Sequence, residues 1–178
     1  MFIDKVYEIK GVGTVVTGSI KQGTINPNSK MLIGPLKDGS VKEIIVKNIQ
    51  TFNTDIKEAK AGLIVGLAIK GIKAEEIKRG MCIFDKNCDY KIAKSFEAEI
   101  FVFNHPTKIS SGYEAVIHLN SISEVAKFEI LDKEYVKAKE NCKARITFKY
   151  RKYLIKEGET FIFREGKVKG FGKIEKIL

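Results

Sequence analysis

The sequence is poor in the residues that carry most enzyme chemistry. It has two histidines and three cysteines among 178 residues. His105 and His118 do not stand in HxxxH spacing, and no cysteine lies within a few residues of either. A zinc site needs about four nitrogen, sulfur or oxygen ligands at close spacing, and none is offered. Cys82, Cys88 and Cys142 are odd in number and lack CxxC spacing, which argues against a disulfide framework and fits a reducing cytosol. No apolar run approaches the roughly 20 residues of a membrane span. The first residues, Met1-Phe2-Ile3-Asp4-Lys5, lack the apolar stretch of a signal peptide. The expectation is a cytoplasmic chain with no membrane partner.

Nucleotide-binding motifs are also lacking. A P-loop needs GxxxxGK followed by Ser or Thr, so that backbone N–H groups wrap phosphates and the hydroxyl holds magnesium. The pairs Gly166-Lys167 and Gly172-Lys173 are followed by Val168 and Ile174, so each fails at the hydroxyl. Gly11-Val12-Gly13 lacks the third glycine of a dinucleotide fingerprint, and no helix follows it. It reads as a tight turn. No DxxG or NKxD motif is present. This chain is expected to bind no cofactor and to catalyse no reaction.

What is present is charge and β-structure. Thirty-two Lys and Arg against 22 Asp and Glu leave a net charge of +10. Either a polyanionic partner, RNA first, or a solvated lysine-rich surface accounts for it. Short apolar, β-branched segments recur between glycine-rich turns. Phe2 to Ile9, Thr14 to Thr17, Ile44 to Ile49, Leu63 to Ile69 and Met81 to Phe84 form a first series. The runs 44–49 and 63–69 are nearly continuous in apolar residues and predict well-buried strands.

A polar stretch then interrupts the pattern. A second series follows: Phe96 to Phe103, Ala115 to Leu119, Ile146 to Tyr150, Thr160 to Arg164 and Lys173 to Leu178. Ile146, Phe148 and Tyr150 alternate with Arg145, Thr147 and Lys149, the period-two pattern of a half-buried strand. His118 falls opposite Ile117 and Leu119, so it is either exposed or faces a second packed surface. Residues 132–141 have no apolar stripe and read as a loop, and residues 74–77 as one turn. The predicted fold is all-β: two consecutive small closed barrels, spanning 1–86 and 95–178, joined by a linker at 87–94. Closure removes strand edges that an open sheet would have to protect.

Particular stretches carry a resemblance. Residues 6–23 read VYEIKGVGTVVTGSIKQG, and residues 61–80 read AGLIVGLAIKGIKAEEIKRG, ending in Ile77-Lys78-Arg79-Gly80. Asn104-His105-Pro106 leads to Ile109-Ser110-Ser111-Gly112-Tyr113, and Phe163-Arg164-Glu165-Gly166 leads to Gly170-Phe171-Gly172. In this order they resemble domains II and III of the translational GTPases typified by elongation factor Tu and elongation factor 1-alpha. They look most like the branch represented by GTP-binding protein 1.

The resemblance implies a parent GTPase whose nucleotide domain, with its GTP and magnesium, would precede this chain. The chain is then an excised fragment or a natural orphan, and the fragment is the favoured expectation. The partners implied are tRNA or ribosomal RNA, the ribosome, and that GTPase domain. In the family, domain II helps hold the end of aminoacyl-tRNA. The matching positions here are Gln50, Asn53 and Ile64, and all three depart from the family's Glu, Arg and Asn. In domain III, Arg151 matches a Lys that meets the tRNA backbone, and Gly166 matches a close backbone approach. Lys149 and Lys152 flank Arg151 among Tyr150 and Tyr153. The expectation is that Arg151, Gly166, Lys149, Lys152, Gln50 and Asn53 contact RNA. The alternative is a protein-interaction module that docks a GTPase, release factor or decay factor.

Overall fold

The structure is a computed structural model. It describes residues 1–178, the side chain of Val168 excepted. Two compact units divide between Cys88 and Asp89. The first contains β1 (Phe2–Ile9), β2 (Gly13–Ser19), β3 (Thr24–Ile25), β4 (Lys30–Gly34), β5 (Lys42–Thr51), β6 (Thr54–Asp55), β7 (Ala59–Lys60), β8 (Ile64–Lys70) and β9 (Cys82–Phe84). The second contains β10 (Lys91–Ala93), β11 (Ser95–Val102), β12 (Ile109–Ser110), β13 (Glu114–Leu119), β14 (Ile122–Ile130), β15 (Tyr135–Val136), β16 (Asn141–Phe148), β17 (Tyr153–Ile155), β18 (Thr160–Glu165) and β19 (Lys167–Ile177).

In the first unit the strands run β4-β9-β1-β2-β8-β5, and β5 returns to pair with β4, closing a barrel. Ile3, Val16, Ile33, Val46, Ile49 and Leu67 fill it. Gly18 is required by a close approach. A Cβ there would lie 1.9 Å from the carbonyl oxygen of Phe2, beside the register shift between Ile3 and Lys5. That accounts for the second glycine of the GTVVTG segment.

The second unit closes as β11-β16-β14-β13-β18-β19, around Phe96, Phe128, Phe148 and Phe163. Gly170 and Gly172 on β19 make room for the rings of Phe163 and Phe161. A Cβ on Gly170 would meet the Phe101 carbonyl oxygen at 2.1 Å and Phe163 Cζ at 2.5 Å, and one on Gly172 would meet Phe161 Cζ at 2.4 Å. The glycine pair after FREG is thus a packing feature.

Several local expectations are corrected. The run 63–69 is not buried throughout: Ile64 is 69% exposed while Val65, Leu67 and Ile69 are buried, because only one face of β8 meets the core. Residues 91–93, assigned to the linker, form β10 and pair with β17. Residues 132–141, read as loop, contain β15, which pairs with β12. Tyr150, placed on the buried side of β16, is 70% exposed, because the strand ends at Phe148. The single turn expected at residues 74–77 is found, as a short 3-10 helix, Ala74–Glu76.

Candidate functional site

The basic segment 149–152 lies just past the end of β16. Its geometry is set by Glu124 on β14, which is 8% exposed. One carboxylate oxygen of Glu124 accepts the backbone N–H of Tyr150 at 2.7 Å and that of Arg151 at 3.1 Å. The other accepts the Tyr153 hydroxyl at 2.5 Å. A buried charge persists where hydrogen bonds satisfy it, and this one holds a turn of the chain. Burial raises the Tyr153 phenol above its ordinary range, and the Glu124 hydrogen bond and charge raise it further.

The four residues of the turn differ in what their side chains do. Lys149 Nζ reaches Glu114 Oε2 at 2.9 Å, and that hydrogen bond and charge raise its pKa. The Lys149 charge is therefore already paired. Tyr150 and Lys152 are exposed, and Arg151 is half-buried. Among the described residues, the Arg151 guanidinium has no carboxylate within 4.0 Å. Glu157 and Glu159, the nearest acids along the chain after Arg151, are engaged elsewhere. Glu159 accepts from Asn120 Nδ2 at 2.8 Å and from the Lys156 N–H at 3.0 Å. Glu157 accepts the Ile177 N–H at 3.3 Å.

Gly166 sits at the tip of the β18–β19 hairpin with φ 68°, a left-handed conformation that glycine adopts without steric cost. Its carbonyl oxygen accepts Arg164 Nε at 3.2 Å and Nη2 at 2.7 Å. Together with Glu114, Val116, His118, Val125 and Arg164, Gly166 borders a shallow depression of about 550 Å³. The salt bridge to Glu114 brings Lys149 to this rim. So the structure gathers Lys149, Arg151 and Lys152 on one turn and links it to the Gly166 hairpin.

Gln50 and Asn53 belong to the first barrel. Gln50 Nε2 and Asn48 Nδ2 both donate to Asp55 Oδ1, at 2.8 and 2.7 Å. The Asn48 and Gln50 hydrogen bonds hold the Asp55 carboxyl below its ordinary value. Asn53 occupies the β5–β6 turn with φ 61°, following Phe52 with φ 48°. Phe52 is 95% exposed. Ile64, at the start of β8, offers its carbonyl oxygen to Thr51 Oγ1 at 3.1 Å. The amide of Gln50 is thus spent on a local carboxylate.

The two motifs of the second barrel meet in space. Glu165 Oε2 accepts the Tyr113 hydroxyl at 3.3 Å and lies 3.6 Å from His105 Nε2. The His105 and Tyr113 rings stand edge to face at 5.5 Å. Burial raises the Tyr113 phenol, and the Glu165 charge and hydrogen bond add to the rise. His105 Nδ1 also lies 2.8 Å from the carbonyl oxygen of Thr107, which suits a turn residue. The described residues contain no group of three or more His, Cys, Asp or Glu that could hold a metal ion. None of their helices is long and apolar enough to cross a membrane.

Residues 13–84 match the family model for elongation factor Tu domain 2. GTP-binding protein 1 of Xenopus laevis is 33% identical over 176 residues, which is 99% of this chain and 27% of that protein. The chain belongs to the translational GTPases, as their domain II and domain III pair. Elongation factor 1-alpha of Cenarchaeum symbiosum (strain A) is 39% identical over 124 residues, 70% of this chain and 28% of that protein. Elongation factor 1-alpha of Thermoplasma acidophilum is 30% identical over 162 residues, 91% of this chain and 36% of that protein. The chain therefore spans about a quarter to a third of the curated relatives it matches. In this chain the FREG and NHP motifs meet through Glu165, which joins the β18–β19 hairpin to the loop before β12.

Sequence reasoning missed Glu124 and Glu165 as organising residues. Glu124 shares the inward phase of β14 with Ile122, Ala126, Phe128 and Ile130, so a carboxylate interrupting the apolar alternation is the signal the sequence offers. Only the tertiary fold brings the 150–153 backbone over it.

Proposed function

We propose that this domain pair engages RNA, tRNA or ribosomal RNA, on behalf of an elongation-factor-like GTPase in the cytoplasm. GTP and magnesium would belong to the parent's nucleotide domain. One observation carries the reading. Among the described residues the Arg151 guanidinium stands without an ionic partner, on a turn whose backbone is pinned by buried Glu124. A cation held in place and left unpaired suits a phosphate, which it meets by charge and counterion release. A Cβ at Gly166 would meet nothing within 4 Å, so its α-carbon side is open beside the Lys149 rim, where an RNA strand could come close. Lys152 adds an exposed charge, while Lys149 would have to exchange Glu114 for RNA. Gln50 and Asn53 are the weaker contacts, because Asp55 already holds the Gln50 amide. Titrating fluorescent tRNA with the chain from low to moderate salt tests this. Affinity should fall steeply and linearly on logarithmic axes; no binding at low salt would refute it.

A second reading rests on a different observation. Phe101, Phe103 and Phe171 cluster on the outer face of the second barrel, with ring centroids 5.5 to 5.9 Å apart. Phe103 and Phe171 are 45% and 42% exposed, and Ile162 beside Phe171 is 40% exposed. Such an apolar group favours a protein partner, and a GTPase domain or a release or decay factor would fit. Binding there would be insensitive to salt, unlike RNA binding.

A further inference from the structure

The β12–β15 ladder pairs Ile109 with Val136 and Ser110 with Tyr135. Extending that register by one residue sets Lys108 directly across from Lys137. Ile109 and Val136 point into the core and are 1% and 0% exposed. Lys108, Ser110, Tyr135 and Lys137 therefore share the outward face. Both ammonium groups lie near one ring: Lys108 Nζ is 4.5 Å from the Tyr135 centroid and Lys137 Nζ is 5.7 Å from it.

This arrangement works against the fold. Like charges directly opposite on a ladder are destabilising. A single lysine would supply the cation–π attraction that Tyr135 can offer. Carboxylates are available but do not relieve the pair. Asp132 and Glu134 share the segment, yet among the described residues neither ammonium has a carboxylate within 4.0 Å. Glu140 accepts the backbone N–H of Lys137 at 3.0 Å instead. Lys133, also on this segment, donates to the Asn141 carbonyl at 2.6 Å.

We propose that Lys108, Tyr135 and Lys137 form a second anion site on this barrel, which takes the phosphodiester backbone of RNA. Tyr135 acts as a positioning residue that holds two ammonium groups near one ring. A polyanion with regularly spaced charges relieves their repulsion, and each neutralised phosphate releases counterions. The site rests on the RNA reading but not on the Arg151 turn. Arg151 follows the Phe148 end of β16, whereas β15 precedes its Asn141 end.

The test compares tRNA binding over a salt series for the 178-residue chain, the Lys108→Ala/Lys137→Ala variant and the Lys108→Arg/Lys137→Arg variant. Thermal melting first checks that each is folded. The alanine pair should lower the salt slope by about two, one for each phosphate no longer neutralised, with Arg151 intact. The arginine pair should keep the slope, because it keeps both charges. If the wild type binds tRNA and the alanine pair has the same slope, this site falls while the RNA reading stands. If the wild type binds no RNA, both fall. If the alanine pair keeps the RNA slope but loses binding to polyglutamate, the patch serves an acidic protein and the proposal is overturned.

Discussion

The buried carboxylate of Glu124 accepts the backbone N–H of Arg151 at 3.1 Å. Position 151 is thus fixed by main-chain geometry, whatever its side chain contacts. Removing the acceptor should leave two backbone N–H groups and the Tyr153 hydroxyl without partners. Buried donors left unmade cost about 1–3 kcal/mol each. Glu124→Ala should therefore destabilise the second barrel by on the order of 3 kcal/mol. Glu124→Gln keeps an acceptor oxygen and should cost less. Denaturant unfolding measures both, and an unchanged midpoint for Glu124→Ala would contradict the assigned role.

The glycines near the end of the chain should separate two kinds of cost. Gly166→Ala meets open space but must hold φ 68°, a left-handed strain of about 1–2 kcal/mol. Gly170→Ala must fit a Cβ 2.1 Å from a backbone oxygen, which the barrel can relieve only by moving β11 or β19. Its cost should lie at or above the top of the ~1–3 kcal/mol range for overpacking. Equal melting temperatures for the two variants would refute the packing account of the G-x-G pair.

Alkaline pH should weaken the second barrel in particular. Burial pushes the Cys142 thiol up from its ordinary 9.0 to about 12, with the charges of Asp132 and Glu140 adding and that of Lys133 opposing. Tyr113 and Tyr153 are also raised, mainly by burial. These groups keep their protons in the folded state where the unfolded chain releases them. Their contribution is thus fully present below the unfolded values and is lost as pH rises toward the folded ones. Stability should begin to fall near pH 9 through Cys142 and more steeply above about pH 10 through the tyrosines. Cys142→Ala should remove the earliest part of that fall. A flat stability profile from pH 8 to about 11 would count against these shifts.

The aromatic face gives the protein-docking reading its own check. Phe103→Ser with Phe171→Ser should leave tRNA affinity unchanged, since neither ring adjoins the basic turn. It should weaken binding of the parent's GTPase domain supplied separately. Calorimetric titration of that domain would show the difference, and equal affinity for wild type and variant would remove the face from the interface.

Much of the fold could be read from residue order. The strand expected at Phe2 to Ile9 is found as β1, because β-branched and aromatic residues recur up to a Gly-Val-Gly turn. Ala115, Ile117 and Leu119 are buried as their alternation predicts. Tyr150 misled because the period continues in the sequence past the point where the hydrogen-bond ladder stops. Within the site, the basic cluster at 149–152 is visible as a run of charges. Which cation is free is not, because Glu114, 35 residues away, claims Lys149. The opposition of Lys108 and Lys137 likewise exists only once β12 and β15 pair. Pairings of distant residues set charge availability, and sequence spacing does not encode them.

The salt dependence of tRNA affinity for the wild type and Arg151→Ala tests the central claim most directly. Removing one phosphate-neutralising cation should reduce the slope of log affinity against log salt by about one. Different RNAs should weaken by similar factors, because a cation at the backbone reads no sequence. Arg151→Lys should retain most of the affinity, since a point charge also meets a phosphate. Equal affinity and equal slope for wild type and Arg151→Ala would contradict the account.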